Sequence, residues 1–214
     1  MRHADPTRPL AAAILTGGRA SRLGGARKAQ LAIGGRTIIE RQLEVLRRVT
    51  APIYAVTSAA GDPEGGLDLV RDRFPGRGAL GGIYTAIDAS PHDRVLVVGC
   101  DMPFLSAALI EYMHSLDGDL VIPRSARGYE PLCAIYSRAC AVAIRERIEL
   151  GRLEASVVPE GVRVVEVGAE ALAVYDPRGL VFVNVNTPHD YERANTLLEG
   201  SNASHDRIMD ELGP

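Results

Sequence analysis

The sequence predicts an α/β fold on a mostly parallel sheet. Short β-branched runs alternate with helical patterns, several runs are apolar on both faces, and a glycine-rich turn follows the first of them directly. Parallel strands covered by helices on both sides bury both faces, so near-continuous apolar runs mark the centre of such a sheet. Ala11 to Leu15 is the first predicted strand. Thr37 and Glu40 form a T-x-x-E capping box, and Ile39, Leu43 and Leu46 keep helical spacing to near Val49, so a helix follows. Ile53 to Thr57 and Val95 to Gly99 read as the next strands. A helix is predicted over Ala107 to Leu116, stopped near Gly118, and another over Arg138 to Leu150, stopped by Gly151. Further strands are expected at Leu120 to Pro123, Leu132 to Tyr136, Val162 to Val167 and Val181 to Val185. Thr187 and Pro188 supply an N-cap and a first-turn proline for a last helix to about Leu198.

With 214 residues the chain can bury roughly 70% of its unfolded surface, enough for a core without disulfide or metal staples. The expected organisation is a tail over 1–10, one three-layer domain over 11–199 and a polar tail over 200–214, in which a short helix from Arg207 to Leu212 is an alternative. There are 24 basic and 27 acidic side chains, a formal charge of −3, which argues against a protein that coats nucleic acid or an anionic membrane. Apolar runs such as Val95 to Val98 fall far short of the ~20 residues that span a bilayer. Met1 to Pro9 carries Arg2, Asp5 and Arg8 and does not read as a signal peptide. Cys100, Cys133 and Cys140 show no CxxC spacing, so a reducing cytoplasm is the expected compartment, and none is assigned a nucleophilic role.

Three segments carry chemistry. The turn after the first strand contains Gly17, Gly18, Gly24 and Gly25 with Arg19, Arg22, Arg27 and Lys28. Glycines let backbone N–H groups approach an anion and the cations add charge, so this is a phosphate loop or, in the plainer reading, a solvated basic loop. It is neither a Walker A loop nor a G-x-G-x-x-G fingerprint. Asp101 follows the apolar run Val95 to Gly99, where open α/β sheets place ligands. One carboxylate with phosphates suits magnesium, and a cap or turn former is the alternative. Asn184 and Asn186 would share a strand face and could hold a metal or phosphate, unless they form Asx turns before the helix.

Together and in this order the three segments resemble the molybdenum cofactor guanylyltransferase family. The opening motif is similar to Leu15, Thr16, Gly17, Gly18, Ser21, Arg22, Gly24, Gly25 and Lys28; the middle one to Gly99 through Leu105; the late one to Asn184, Asn186, Thr187, Pro188 and Asp190. Glu130 to Tyr136 resembles the segment that the family places near its pterin substrate. Departures are Thr16 for the usual alanine, Leu23 for methionine, Arg27 for an acidic residue, and Gly78-Ala79-Leu80-Gly81-Gly82 for Gly-Pro-Leu-Ala-Gly.

The resemblance implies an enzyme with a nucleotide-diphospho-sugar transferase-like fold, its first half Rossmann-like and nucleotide-binding and the half after about Pro123 binding an acceptor. It would transfer GMP from GTP to the terminal phosphate of molybdenum-molybdopterin, releasing pyrophosphate. It implies nucleotide contacts at Leu15, Thr16, Gly17 and Gly18, phosphate contacts at Lys28, and guanine or ribose at Asp72, for which a surface acid at a strand end is the alternative. Asp101 would hold Mg2+, with Lys28 and Arg22 offsetting charge on the leaving pyrophosphate, and Glu130, Pro131, Leu132, Asn184 and Asn186 would meet the acceptor. Molybdoenzymes or cofactor-handling proteins are the implied protein partners, with no nucleic acid and no membrane. The competing readings are a CTP-dependent enzyme on the same pterin, a sugar-phosphate nucleotidyltransferase, and a non-catalytic nucleotide-binding homologue.

Overall fold

The structure, a computed structural model, describes residues 8–16, 22, 23, 26, 27, 31–58 and 64–198, with backbone alone at 22, 23, 26, 27 and 64. Among these residues the chain forms β1 (Leu10–Leu15), the short strands β2 (Arg22–Leu23), β3 (Ala26–Arg27), β4 (Ala32–Ile33) and β5 (Arg36–Thr37), α1 (Ile38–Val49) and β6 (Ile53–Thr57). There follow β7 (Asp68–Arg71), α2 (Gly78–Ala89), β8 (Arg94–Gly99), α3 (Ala107–His114), β9 (Leu120–Ser125), β10 (Gly128–Tyr129), β11 (Cys133–Ser137), α4 (Cys140–Glu149), β12 (Val164–Val167) and α5 (Ala169–Tyr175). A last helix, α6, occupies 188–198.

The central sheet runs β10-β9-β11-β8-β1-β6-β7, with β12 added beside β9. β1 pairs parallel with both β6 and β8, and β7 pairs parallel with β6. β11 enters antiparallel between β8 and β9, which makes the sheet mixed on the side away from β7. The alternation of β1 divides the core between the two faces. Leu10, Ala12 and Ile14 pack with Leu96, Val98, α1 and α3, while Ala11, Ala13 and Leu15 pack with Val95, Val97, α2 and α4. Both sets are buried, as the two-sided apolar runs require.

The capping box forms as the T-x-x-E spacing predicts: the Glu40 amide donates to Thr37 Oγ1 at 3.2 Å and the Thr37 amide donates to Glu40 Oε2 at 2.8 Å. The Thr37 amide, and after it the Thr37 side chain, favours the ionised form and holds the exposed Glu40 carboxyl below its ordinary pKa. Thr187 caps α6 in the same way, with Asp190 accepting from the amides of Asn186 and Thr187 at 3.0 and 2.8 Å. A smaller apolar cluster of Ile33, Ile38, Val185 and Ala194 fastens α6 to the β4–β5 hairpin. The Tyr191 hydroxyl donates to the Ala32 carbonyl at 2.7 Å across the same joint.

The predicted strand at Val181 to Val185 is corrected: the segment is a turn followed by irregular chain. Its backbone donors are committed elsewhere. The amides of Leu180 and Val181 donate to the Asp176 carboxylate, Val183 to Leu180, and Val185 to Asp101, so no ladder can form. Periodicity also misses β7, α2 and α5. α2 is the instructive case, because Gly78, Gly81 and Gly82 give it poor intrinsic helix propensity. Tertiary packing holds it instead: a Cβ on Gly82 would stand 2.9 Å from Leu15 Cδ1, and one on Gly81 2.7 Å from the Phe74 carbonyl oxygen. At Gly81 the helix lies closer to the Phe74 backbone than a side chain allows, and at Gly82 it packs on the side chain of Leu15. No helix among the described residues is long and apolar enough to cross a membrane.

Gly81→Ala separates propensity from packing. Propensity alone favours alanine in a helix by roughly 1 kcal/mol. Because the new methyl meets a backbone oxygen, the variant should instead lose about 1–3 kcal/mol, read by denaturant unfolding; a stabilised variant would refute the close-packing account.

Candidate active site

Strand order reverses at β1. From β1 the chain passes through α1 to β6 and β7, then returns through α2 to β8 on the other side of β1. The carboxyl ends of β1 and β8 therefore form a topological switch point, the place where open α/β sheets bind ligands. Leu15 is in register with Gly99, and the Cys100 amide donates to the Leu15 carbonyl at 3.3 Å. Thr16 is tied to β6 through its amide and its hydroxyl, at 2.9 and 3.3 Å from the Val56 carbonyl oxygen. The glycine-rich segment thus leaves the sheet beside the turn that carries Asp101. Gly17, Gly18 and Lys28 lie outside the described residues; the backbone of Arg22 is in β2, paired with Arg27 of β3.

Three segments meet at Asp101. The Gly99 amide donates to the Leu132 carbonyl at 3.0 Å, and the Val185 amide donates to the Asp101 carbonyl at 2.9 Å. Glycine at position 99 makes room for the carboxylate, since a Cβ there would lie 2.7 Å from Asp101 Oδ1. Beneath the turn, Gln42 of α1 is wholly buried and its Nε2 donates to the carbonyls of Gly99 at 2.6 Å and Met102 at 3.0 Å. Asp101, half-buried at the strand end, is a hard oxygen donor. Among the described residues no group of three or more His, Cys, Asp or Glu side chains is gathered for a metal. That donor set fits a magnesium-type ion whose remaining ligands are phosphate oxygens and water, and it does not fit an ion caged by protein alone.

Asp72 lies just past β7, two strands from β1 on the same end of the sheet. One of its oxygens, Oδ1, accepts from the Phe74 amide at 2.9 Å and the Thr85 hydroxyl at 3.1 Å, so it shapes the turn into α2. The acceptor candidates divide. Glu130 Oε1 accepts from the Ser125 hydroxyl at 2.7 Å and stands 3.5 Å from Arg127 Nη2, which braces the β9–β10 turn. The Pro131 carbonyl accepts from the buried Tyr136 hydroxyl at 2.9 Å. Leu132 reaches the Asp101 turn directly. Asn184 lines a cavity of about 580 Å³ and has a buried Oδ1 without a hydrogen-bond partner among the described residues. Asn186 is exposed at the start of α6.

That cavity lies between the end of β9, α5 and α6, and Arg124, Arg127 and Arg193 line it together with Asp176, Asn184 and Asp190. Its size falls in the range of small-molecule sites. It adjoins the Asp101 turn through the Asn184–Val185 link. Arg124 and Arg127 belong to the β9–β10 hairpin and Arg193 to α6, so only the fold brings the third beside the other two. Gln42 did leave a signal, as a polar residue inside the apolar stripe of Ile39, Leu43 and Leu46. Cys133 is fully buried, and burial pushes its thiol up to about 12; burial likewise raises Cys140 to about 11. Neither supplies a thiolate near neutral pH.

A mixed sheet with a glycine-rich segment and a carboxylate at its switch point, beside a basic cavity on the antiparallel side, defines a nucleotidyltransferase. The comparisons agree on that class. The family model described as the MobA-like NTP transferase domain matches residues 12–164, and the chain belongs to this family. It is 32% identical over 197 residues to the molybdenum cofactor guanylyltransferase of Desulfosudis oleivorans, covering 89% of this chain and 96% of that one. It is 36% identical over 193 residues to a probable molybdenum cofactor guanylyltransferase of Pelotomaculum thermopropionicum, covering 88% and 93%. The crystal structure of molybdopterin-guanine dinucleotide biosynthesis protein A from Archaeoglobus fulgidus is similar with a TM-score of 0.71 and 25% identity, covering 89% of this chain and 99% of that one.

The space at Gly99 has a direct test. Gly99→Ala places a methyl 2.7 Å from Asp101 Oδ1 and must displace the carboxylate. Turnover should fall about tenfold or more, equivalent to about 1.4 kcal/mol in the barrier, with the far-ultraviolet circular dichroism unchanged. Wild-type turnover would show that the carboxylate's position is immaterial.

Proposed function

We propose that the chain transfers GMP from GTP to the terminal phosphate of the molybdenum-bearing molybdopterin, giving the guanine dinucleotide and pyrophosphate. The observation that carries this reading is the meeting of the β1 end, the Asp101 turn and the arginine-lined cavity at one switch point. Membership of the MobA-like family and the names of the relatives support the base and the acceptor.

In this reading the backbone at Gly17 and Gly18 receives the triphosphate, and Leu15 and Thr16 border the nucleotide. Asp72 serves the guanine or ribose through the oxygen that is not bound to Phe74 and Thr85. Lys28 and Arg22 neutralise charge on the departing pyrophosphate. The acceptor's phosphate monoester is already anionic at neutral pH, so attack on the α-phosphorus needs no side-chain base, and catalysis comes from positioning and charge neutralisation. Leu132 and Asn184 border the acceptor from the cavity side, with Pro131 and Asn186 at its margins, while Glu130 acts by holding Arg127 and the β9–β10 turn. Asp101 would hold a divalent ion, most simply Mg2+, which when bound supplies positive charge to the reacting phosphates. Arg27 faces Arg22 across the β2–β3 ladder in this chain and adds cationic character to the phosphate segment. The free thiols of Cys100, Cys133 and Cys140 support action in a reducing cytoplasm, and molybdoenzymes or proteins that handle their cofactor are the natural recipients of product.

Two measurements test the proposal. GTP with magnesium should raise the melting temperature more than CTP, ATP or UTP, since a ligand at a hundredfold excess over its dissociation constant stabilises by about 2.7 kcal/mol. A larger shift with CTP would reassign the base. Asp101→Asn should keep the fold and lower pyrophosphate release at least ~100-fold, because metal stabilisation of charge is worth several kcal/mol and each 1.36 kcal/mol is tenfold. Near-normal turnover of the folded variant would overturn the assignment of Asp101.

A further inference from the structure

The side chain of Gln42 poses a question that the proposed reaction leaves unanswered. It is wholly buried in the layer of α1 that packs on β1 and β8, among residues that are otherwise apolar. Its Oε1 has no hydrogen-bond partner among the described residues, a cost that an apolar side chain of the same length would not carry. The other end of the amide accounts for its presence. Nε2 donates to the Gly99 carbonyl at 2.6 Å and to the Met102 carbonyl at 3.0 Å, the two carbonyls that flank Cys100 and Asp101. A primary amide has two N–H groups on one nitrogen, which suits a bridge between the two ends of this turn.

The backbone ties the turn to its neighbours: the Gly99 amide to Leu132, the Cys100 amide to Leu15 of β1, and the Asp101 carbonyl to Val185. Gln42 adds a side-chain bridge from below, joining the carbonyls at 99 and 102 on either side of Cys100 and Asp101. We propose that Gln42 is a positioning residue that presets the Asp101 turn for a divalent ion and nucleotide, acting through backbone carbonyls and never touching the substrates. The inference rests on the reading of Asp101 given above.

Gln42→Met tests it, because methionine keeps the length and removes both donors. Three readouts are compared with wild type and with Asp101→Asn. In the nucleotide-free protein, amide hydrogen exchange over residues 99–105 should quicken while that of 95–98 stays the same. With a non-hydrolysable GTP analogue present, Mn2+ affinity followed by electron paramagnetic resonance should weaken about tenfold, equivalent to about 1.4 kcal/mol. In pyrophosphate release, kcat should fall with the KM for GTP within about threefold of wild type, and the double variant Gln42→Met/Asp101→Asn should be no slower than Asp101→Asn alone, as expected of residues that act as one unit. Loss of turnover in Asp101→Asn, with exchange and Mn2+ affinity unaltered in Gln42→Met, overturns this inference alone. A double variant slower by the product of the two single effects also overturns it. Near-normal turnover of Asp101→Asn overturns the site reading and this inference together. If Gln42→Met does not fold, Gln42→Glu keeps the length and, protonated, one donor; it should show the same changes at smaller amplitude, and wild-type behaviour would overturn the proposal.

Discussion

Parallel pairing of β1 with β8 is the constraint on which the site depends. The register from Leu10 opposite Arg94 to Leu15 opposite Gly99 brings the end of the glycine-rich segment's strand and the start of the Asp101 turn side by side. Because side chains alternate along a strand, a slip of one residue would move Ala11, Ala13 and Leu15 to the face covered by α1 and α3. Both faces of β1 are packed, so such a slip would misfit two cores at once. The register is thereby protected by burial, and the position of the site follows from it.

Carboxylates near this end of the sheet are spent on different tasks, and only the structure sorts them. At the start of α6 the Thr187 side chain, and with it the amides of Asn186 and Thr187, holds the Asp190 carboxyl below the ordinary range. Asp176 accepts the amides of Leu180 and Val181, yet its desolvation outweighs those bonds and raises its pKa. Asp72 organises the turn into α2 through one oxygen. At Asp101 the backbone carbonyl takes the tie to Val185, and the glycine before the turn leaves the carboxylate room at the mouth of the switch point. The chemistry of the group is the same in all four; the surroundings assign the task.

The two halves of the sheet divide labour by strand direction. β1, β6, β7 and β8 run parallel and gather their carboxyl ends, whereas β11 runs back between β8 and β9. That reversal brings Leu132, just before β11, to the amide of Gly99, so the antiparallel half of the sheet touches the parallel half through a backbone bond. α6 adds a second connection, because the same helix that follows Asn184 and Asn186 is fastened to the β4–β5 hairpin downstream of the glycine-rich segment.

Local chemistry written in the sequence decided much of this molecule. The apolar runs at Ala11 to Leu15, Ile53 to Thr57 and Val95 to Gly99 are strands because their pattern matches two-sided burial, and the caps at Thr37 and Thr187 form because each needs only residues three apart. Asp101 could be placed at a strand end from the sequence for the same reason: strand, turn and carboxylate are contiguous. What the tertiary structure decided has contacts distant in the chain. α2 is a helix despite its glycines because β1 and the Phe74 turn require a close approach, and Val181 to Val185 fails as a strand because Asp176 and Asp101 claim its amides. The basic cavity, and the buried amide of Gln42 beneath a turn 57 residues away, exist only once the sheet has assembled. A hydrogen bond is local in space while a motif is local in sequence, and the two coincide only within a single element and its adjoining turn.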